Sequence, residues 1–363
     1  MANKISRRAT MGAALAVGLT GAIASGAAKS KSGAATTGGA GRKAAGLADV
    51  WGSDFLYQWS PPEDLHRDLT PGPSHIRLSS QSNPRLTGEE GVDYAALFKS
   101  MRDGGWSACE TPSASWLARK KSEAEVREIK TQSKAHDIDF YGIHCSGNII
   151  APGPDAERWQ RHMIDAIHSA DEMGCRLILT HAGSMYPNRN TPHPKNWSKE
   201  AWTRSVNALK RICRDTAGVK IDIAIEAVNS ESINNPWAHD RLRQDVGDSR
   251  ITVGLDVTNM AFSHTAFRMT ELIEAAFDVL HDQIAYLHAK DFVWNVMQPG
   301  LNWCMNGTGN MDYEMFLVRA SRLKKPPSML VEFLSNNEEY QQAQRNIRAI
   351  AQKVGVKIYG SQA

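Results

Sequence analysis

Six polar side chains, His144, His181, Glu226, Asp256, His288 and Glu332, each close a short apolar run in this 363-residue chain. Taken singly, each has an ordinary structural use: a strand-end glutamate can pair with a lysine, and a histidine can simply pack. Taken together, Glu226, Asp256, His288 and Glu332 occupy equivalent ends of consecutive runs, and three of the four are carboxylic acids. Removing a carboxylate from water costs several kcal/mol unless a cation, a partner charge or hydrogen bonds compensate it. Such a set therefore calls for a bound cation. An oxygen-rich site with one imidazole favours a hard divalent ion, Mn²⁺ or Mg²⁺, with Co²⁺ also compatible. The cysteine ligands that zinc would favour are absent from these runs.

An ion held there acidifies the C–H bond beside a bound carbonyl. Glu226 or Glu332 would remove that proton, and return of a proton by the other gives epimerisation or carbonyl isomerisation. Loss of a β-leaving group instead gives a dehydratase or lyase. Around this quartet, His144 and His181 are candidates to bind substrate hydroxyls, and Lys290 to stabilise an enolate oxygen. Trp294, Trp303 and Trp237 are expected in loops, where they could stack on a substrate face. Asp291 is expected to fix Lys290 or a loop amide. The Asn306-Gly307-Thr308-Gly309-Asn310 loop is only weakly a phosphate cradle, because no Walker pattern surrounds it.

The elements that would position these residues alternate between apolar strand-like runs and amphipathic helical stretches, as βαβ units do. Eight strand candidates emerge: residues 75–80, 107–111, 139–146, 176–182, 222–229, 251–258, 284–292 and 328–334. Helical periodicity is clearest over residues 123–136, 156–173, 199–216, 269–281, 313–323 and 338–354. Gly104, Gly174, Gly218 and Gly355 suit left-handed helix ends. Eight such units in one chain predict an α/β fold, a (β/α)8 TIM barrel, with the chemistry at the C-terminal ends of the strands. For the first strand, Phe55-Leu56-Tyr57 competes with Ile76-Arg77-Leu78.

Ile225-Glu226, Gly254-Leu255-Asp256, Leu287-His288-Ala289-Lys290-Asp291 and Val331-Glu332-Phe333, with Thr180-His181-Ala182-Gly183, resemble the metal motifs of the sugar-phosphate isomerase/epimerase-like family of the xylose isomerase-like superfamily. The resemblance spans about Gly105 to Leu334. It implies a Glu, Asp, His, Glu metal site in that order, carried by Glu226, Asp256, His288 and Glu332. Two positions depart from the family's ketose 3-epimerases. Asn259 stands where they carry a histidine, and Trp294 stands where they carry an arginine. His-x-Lys-Asp is shared more broadly, including by inosose dehydratase-like members and by proteins that cleave oxidised (3-keto) glycosides. The resemblance thus implies a divalent-metal-dependent sugar isomerase or epimerase. The alternative is a metal-dependent lyase, dehydratase or hydrolase acting on an oxidised sugar, glycoside or inosose-like substrate.

The N-terminus reads differently from the rest. Lys4, Arg7 and Arg8 precede an uncharged Ala/Gly-rich run, a layout expected of a twin-arginine-type signal over residues 1–28. A flexible linker over 29–48 and the barrel over 49–363 follow. This predicts export to the periplasm or the outside, and the run is too short and weakly apolar for a stable membrane span. The 42 Lys and Arg of the whole chain include seven in residues 1–48, leaving 35 against 39 acidic side chains, a net charge of −4. That acidity argues against a nucleic-acid partner, including the apurinic-site endonuclease chemistry known on related barrels. A small carbohydrate is the expected partner, and assembly into a homo-oligomer is compatible with the sequence. A non-catalytic sugar-binding barrel would be expected to lack some ligands, and all four are present. The five cysteines form no CxxC pair and imply no zinc knuckle or disulfide framework, and Cys109, Cys145 and Cys175, in apolar or strand-like contexts, are expected to be small buried hydrophobes.

Overall fold

Short runs of Ile, Leu, Val and Ala, bounded by charged or glycine-containing turns, form ten strands in the computed structural model, which describes residues 67–83, 90–295, 297 and 300–360. The strands are β1 (Arg77–Ser80), β2 (Ala108–Pro112), β3 (Asp139–His144), β4 (Leu177–His181), β5 (Asp222–Glu226), β6 (Ile251–Leu255), β7 (Ile284–Ala289), β8 (Phe292–Asn295), β9 (Gly300–Trp303) and β10 (Ser328–Val331). Eight of them join one parallel sheet in the order β1-β10-β7-β6-β5-β4-β3-β2, while β8 and β9 form a separate antiparallel hairpin. The expected signal, the linker and the Phe55-Leu56-Tyr57 alternative lie outside the described residues. Arg77–Ser80 is the strand that pairs with β10.

No ladder joins β1 to β2, but the Ser107 N–H donates to the Leu78 carbonyl at 2.9 Å, and the Leu78 N–H donates to the Ser107 hydroxyl at 3.2 Å. The barrel is therefore nearly closed. Arg77 straps this seam, donating to the carbonyls of Ser107 and Asp137 and to the Asp137 carboxylate, each at 3.1 Å. Its guanidinium also lies 3.5 Å from the centre of the Tyr359 ring.

Helices cover the outside: α1 (Tyr94–Asp103), α2 (Ser113–Trp116), α3 (Glu123–Ala135), α4 (Asp155–Met173), α5 (Lys199–Asp215), α6 (Pro236–Val246), α7 (Met269–Leu280), α8 (Tyr313–Ser321) and α9 (Asn337–Lys353). Six of these nine starts carry side-chain caps, among them a Ser122–Glu125 capping box on α3 and Asn336 on α9. Three helices lie outside the segments where the periodicity is clearest: α1, the single-turn α2, and α6, which opens on Asn235-Pro236 as cap and first residue. Gly174 ends α4 in the left-handed region, as expected. Gly104 does not, since its φ is −72°, and Gly105 takes the left-handed turn instead.

The two-residue period of the strands sorts their side chains into two layers. Ile178, Ile223, Ile225 and Leu287 face the helices in the main core, whereas Ala108, Tyr141, Leu177, Leu179, Ala224 and Tyr286 fill the barrel interior. Gly254 is needed in this inner layer, because a Cβ there would come within 2.3 Å of the Tyr286 ring. Continuing the inward series by one period leads from Leu179 to His181, Ala224 to Glu226, Gly254 to Asp256 and Tyr286 to His288. The site thus grows out of the top of the inner core.

Candidate metal centre

Glu226, Asp256, His288 and Glu332 come from β5, β6, β7 and the end of β10, four neighbouring strands. One donor atom from each lies within 4.8 Å of the others, and all four are buried. His288 Nδ1 faces the three acids, 3.0 Å from Glu332 Oε1, 3.3 Å from Asp256 Oδ2 and 3.4 Å from Glu226 Oε1. Asp256 is aimed by its own strand end: its Oδ1 accepts from the backbone N–H of Thr258 and Asn259 and from the Thr258 hydroxyl.

Lys290, one inward period beyond His288, places its ammonium 2.5 Å from Asp256 Oδ2, 2.6 Å from Glu332 Oε1 and 3.8 Å from Glu226 Oε1. Asn259 bridges the two sides, its amide donating to Glu226 Oε1 at 2.5 Å while its carbonyl oxygen accepts from Lys290 at 3.3 Å. These contacts set the electrostatics. Burial pushes the Lys290 ammonium down, but Asp256, Glu332 and Glu226 outweigh it and hold it above its usual value. Burial likewise opposes the His288 imidazolium, and Glu226 and Glu332 raise it well above the ordinary histidine range. Against its own burial, Glu332 is brought down to about 2 by His288 and Lys290. Asp256 is also lowered, chiefly by Lys290, in spite of its burial.

His181 lies beside the quartet, with Nε2 3.7 Å from Glu226 Oε2, and burial followed by Arg189 holds it well below its usual value, as a neutral imidazole. Arg189 is itself anchored 3.3 Å from Glu231, a carboxylate that burial pushes up to about 6. His144 stands farther round the mouth, its ring centre 6.0 Å from that of His181. Its Nδ1 is 3.1 Å from Glu110 Oε1, and the Tyr141 hydroxyl donates to Glu110 Oε2 at 3.0 Å. Glu110 escaped the sequence reading, although its position two residues after the inward Ala108 carried the signal.

The tryptophans are not in loops. Trp294 and Trp303 sit on the β8–β9 hairpin and Trp237 is the second residue of α6. Trp294 packs its half-buried side chain against the main core. Trp303 does reach the mouth, where it pairs with Phe333 at 5.0 Å between ring centres. The Lys290 ammonium lies 4.4 Å from the centre of the Phe333 ring and 5.6 Å from that of Trp303. Phe333 follows Glu332 directly and holds a positive φ of 64°, a conformation costly for a side chain of this size.

Asp291 fixes loop amides. Its Oδ1 accepts from the N–H of Phe292 and Met311, and its Oδ2 from those of Gly307, Thr308 and Gly309. The glycine-rich loop is therefore an anion nest already filled by an internal carboxylate, and those amides are not open to a phosphate.

Three buried carboxylates and one ammonium leave a formal charge of two minus, which a divalent cation beside a neutral His288 would balance. The donor set thus fits such an ion. Comparison with known proteins agrees with the architecture. Residues 108–352 match the family described as xylose isomerase-like TIM barrel. No curated protein matches. Among solved structures, the chain is similar to D-psicose 3-epimerase from Clostridium cellulolyticum (TM-score 0.57, 15% identity, covering 76% of this chain and 99% of that one). It is similar to endonuclease IV from Thermus thermophilus (0.58, 18%, 77% and 100%). A third is 3-keto-D-glucoside 4-epimerase from E. coli (0.54, 13%, 76% and 99%).

Proposed function

The chain belongs to the xylose isomerase-like TIM barrel family, and from that footing we propose that it is a divalent-metal-dependent sugar isomerase or epimerase working by proton transfer beside a carbonyl. The observation that carries the reading is the charge imbalance of the buried cluster, in which no group is more than 5% exposed. Glu226, Asp256, His288 and Glu332 would hold Mn²⁺ or Mg²⁺, with Co²⁺ also suited to the donors. When bound, such an ion supplies Lewis acidity toward neighbouring sugar oxygens.

Glu226 and Glu332 stand on the outer two of the four ligand strands, so they flank whatever binds between them. One takes the proton and the other returns it. Lys290 stabilises the oxygen that gains negative charge, and the neutral His181 binds a sugar hydroxyl. Phe333 and Trp303 form an apolar wall suited to a sugar face. A second reading, elimination or hydrolysis on an oxidised sugar or glycoside, is favoured by Asn259. It ties up Glu226 and Lys290 where the resembling ketose 3-epimerases carry a histidine. We also read residues 1–28 as a twin-arginine-type signal, so that the enzyme acts outside the cytoplasm on an unphosphorylated carbohydrate.

Elemental analysis of the purified protein, followed by turnover of a panel of aldoses, ketoses and keto sugars in deuterated water, tests this. Near-stoichiometric Mn, Mg or Co with deuterium in an isomeric product is expected. Release of a fragment would favour the second reading. A protein fully active without metal would overturn the assignment.

A further inference from the structure

The mouth of the barrel has a second half, away from the ion-binding quartet, whose groups the proposed proton transfer leaves unused. A cavity of about 260 Å³ opens there, at the ends of β1, β2 and β3, lined by Ser80, Asn83, Glu110, His144, Trp159 and His162 among others. It falls just below the roughly 300 Å³ at which small-molecule sites begin, so it suits a single ring or a smaller group. Glu110 is locked, with one oxygen taken by Tyr141 and the other by His144. Tyr141 in turn is fully buried and stacks on Tyr286, with ring centres 6.1 Å apart. With Nδ1 held by Glu110, His144 keeps Nε2 free: that atom is buried and has no hydrogen-bond partner. An unmet buried polar atom is costly to the fold, and a guest oxygen would relieve that cost.

We propose that His144, aimed by Glu110, is a catalytic acid that protonates the departing oxygen of a glycoside, whose alcohol half occupies this cavity. The inference rests on the second reading above, elimination after proton abstraction beside a carbonyl. Although burial opposes the imidazolium, Glu110 raises the proton affinity of His144 above the usual value.

In the step, Glu226 or Glu332 takes the proton from the carbon beside the sugar ketone. The C–H electron pair becomes the new C=C bond. The C–O bond to the alcohol half breaks with its pair remaining on oxygen, and His144 Nε2–H supplies the proton to that oxygen. The products are an unsaturated keto sugar and an alcohol, with no oxidant or water consumed. The substrate class is thus a glycoside already oxidised to a ketone, and a dehydrogenation of a ring hydroxyl must supply it.

Leaving-group dependence tests the assignment, because a poor leaving group needs an acid and a good one does not. The metal-loaded full-length protein, His144→Gln and Glu110→Gln are assayed on methyl and 4-nitrophenyl 3-keto-β-D-glucosides, and the wild type is also assayed for deuterium exchange into free 3-keto-D-glucose. His144→Gln is expected to lower kcat about 100-fold or more on the methyl glycoside and less than tenfold on the nitrophenyl one. Glu110→Gln, a change at a positioning residue, is expected to show the same selectivity at about tenfold, and it carries the test if His144→Gln fails to fold. Equal losses on both glycosides would overturn the acid role. Wild-type exchange into the free sugar without alcohol release from either glycoside would overturn this inference and leave the proton-transfer reading standing. Neither exchange nor release would remove both.

Discussion

If the buried quartet holds the proposed ion, His288 is the residue at which the metal-free and metal-bound forms must differ most. With three acids facing Nδ1, its imidazole is raised well above the ordinary value and carries a proton at neutral pH. A ligand nitrogen must be bare, so ion binding has to expel that proton. Calorimetric titration of the metal-free protein with Mn²⁺ at pH 7, in buffers of different ionisation enthalpy, is expected to show release of about one proton per ion. No release in any buffer would mean that His288 is neutral in the empty site. Lys290 adds nothing to this count, because its acidic neighbours keep the ammonium charged. The clustering of Glu226, Asp256, His288 and Glu332 was legible in the sequence because each member closes a visibly apolar run. Glu110 was not, because its partners His144 and Tyr141 lie 34 and 31 residues away and give it no local signature.

At the scale of elements, the end of β7 shows what short-range patterning misses. The apolar run over 284–292 reads as one strand, yet the barrel strand ends at Ala289 and Phe292 begins a hairpin. The break is made by Asp291, whose amide partners at 307–311 lie 16 to 20 residues ahead. Gly309 is required in that knot, since a Cβ would come within 2.4 Å of the Asp291 carboxylate. Asp291→Ala strands several amides at once and is expected to lower unfolding stability by about 3 kcal/mol, read from the urea midpoint. KM should rise with it, because the hairpin carries Trp303. A change within about 0.5 kcal/mol would show that the loop holds itself without the carboxylate. The helices were legible where a long amphipathic face covers the barrel, as in α4 and α5. The sequence was less telling for α2, four residues long, and for α6, whose Asn-Pro start marks a boundary without an extended periodic face.

For the whole molecule, the seam between β1 and β2 is the one junction of the barrel without a ladder among the described residues. There the Arg77 strap and the bridge from Ile76 to Ile358 near the chain's end stand in for strand pairing. Arg77→Met is expected to cost about 2 kcal/mol with an unchanged urea slope, since it removes three hydrogen bonds and a cation–π contact. An unaltered midpoint would mean that the backbone bonds at Ser107 close the barrel alone. Eight strand–helix units were countable from the sequence because both barrel faces are apolar. The seam was not, because it depends on contacts between Arg77, Ser107, Asp137 and Tyr359 that no periodicity records.

Phe333 puts a lower bound on the value of one ring. A bulky residue held in a left-handed conformation costs the fold about 1–3 kcal/mol, and glycine would adopt the same backbone with far less strain. The chain instead places there an aromatic side chain that is 47% exposed and gains little from burial. Whatever that ring does above Lys290 must therefore be worth at least the stability given up to hold it there.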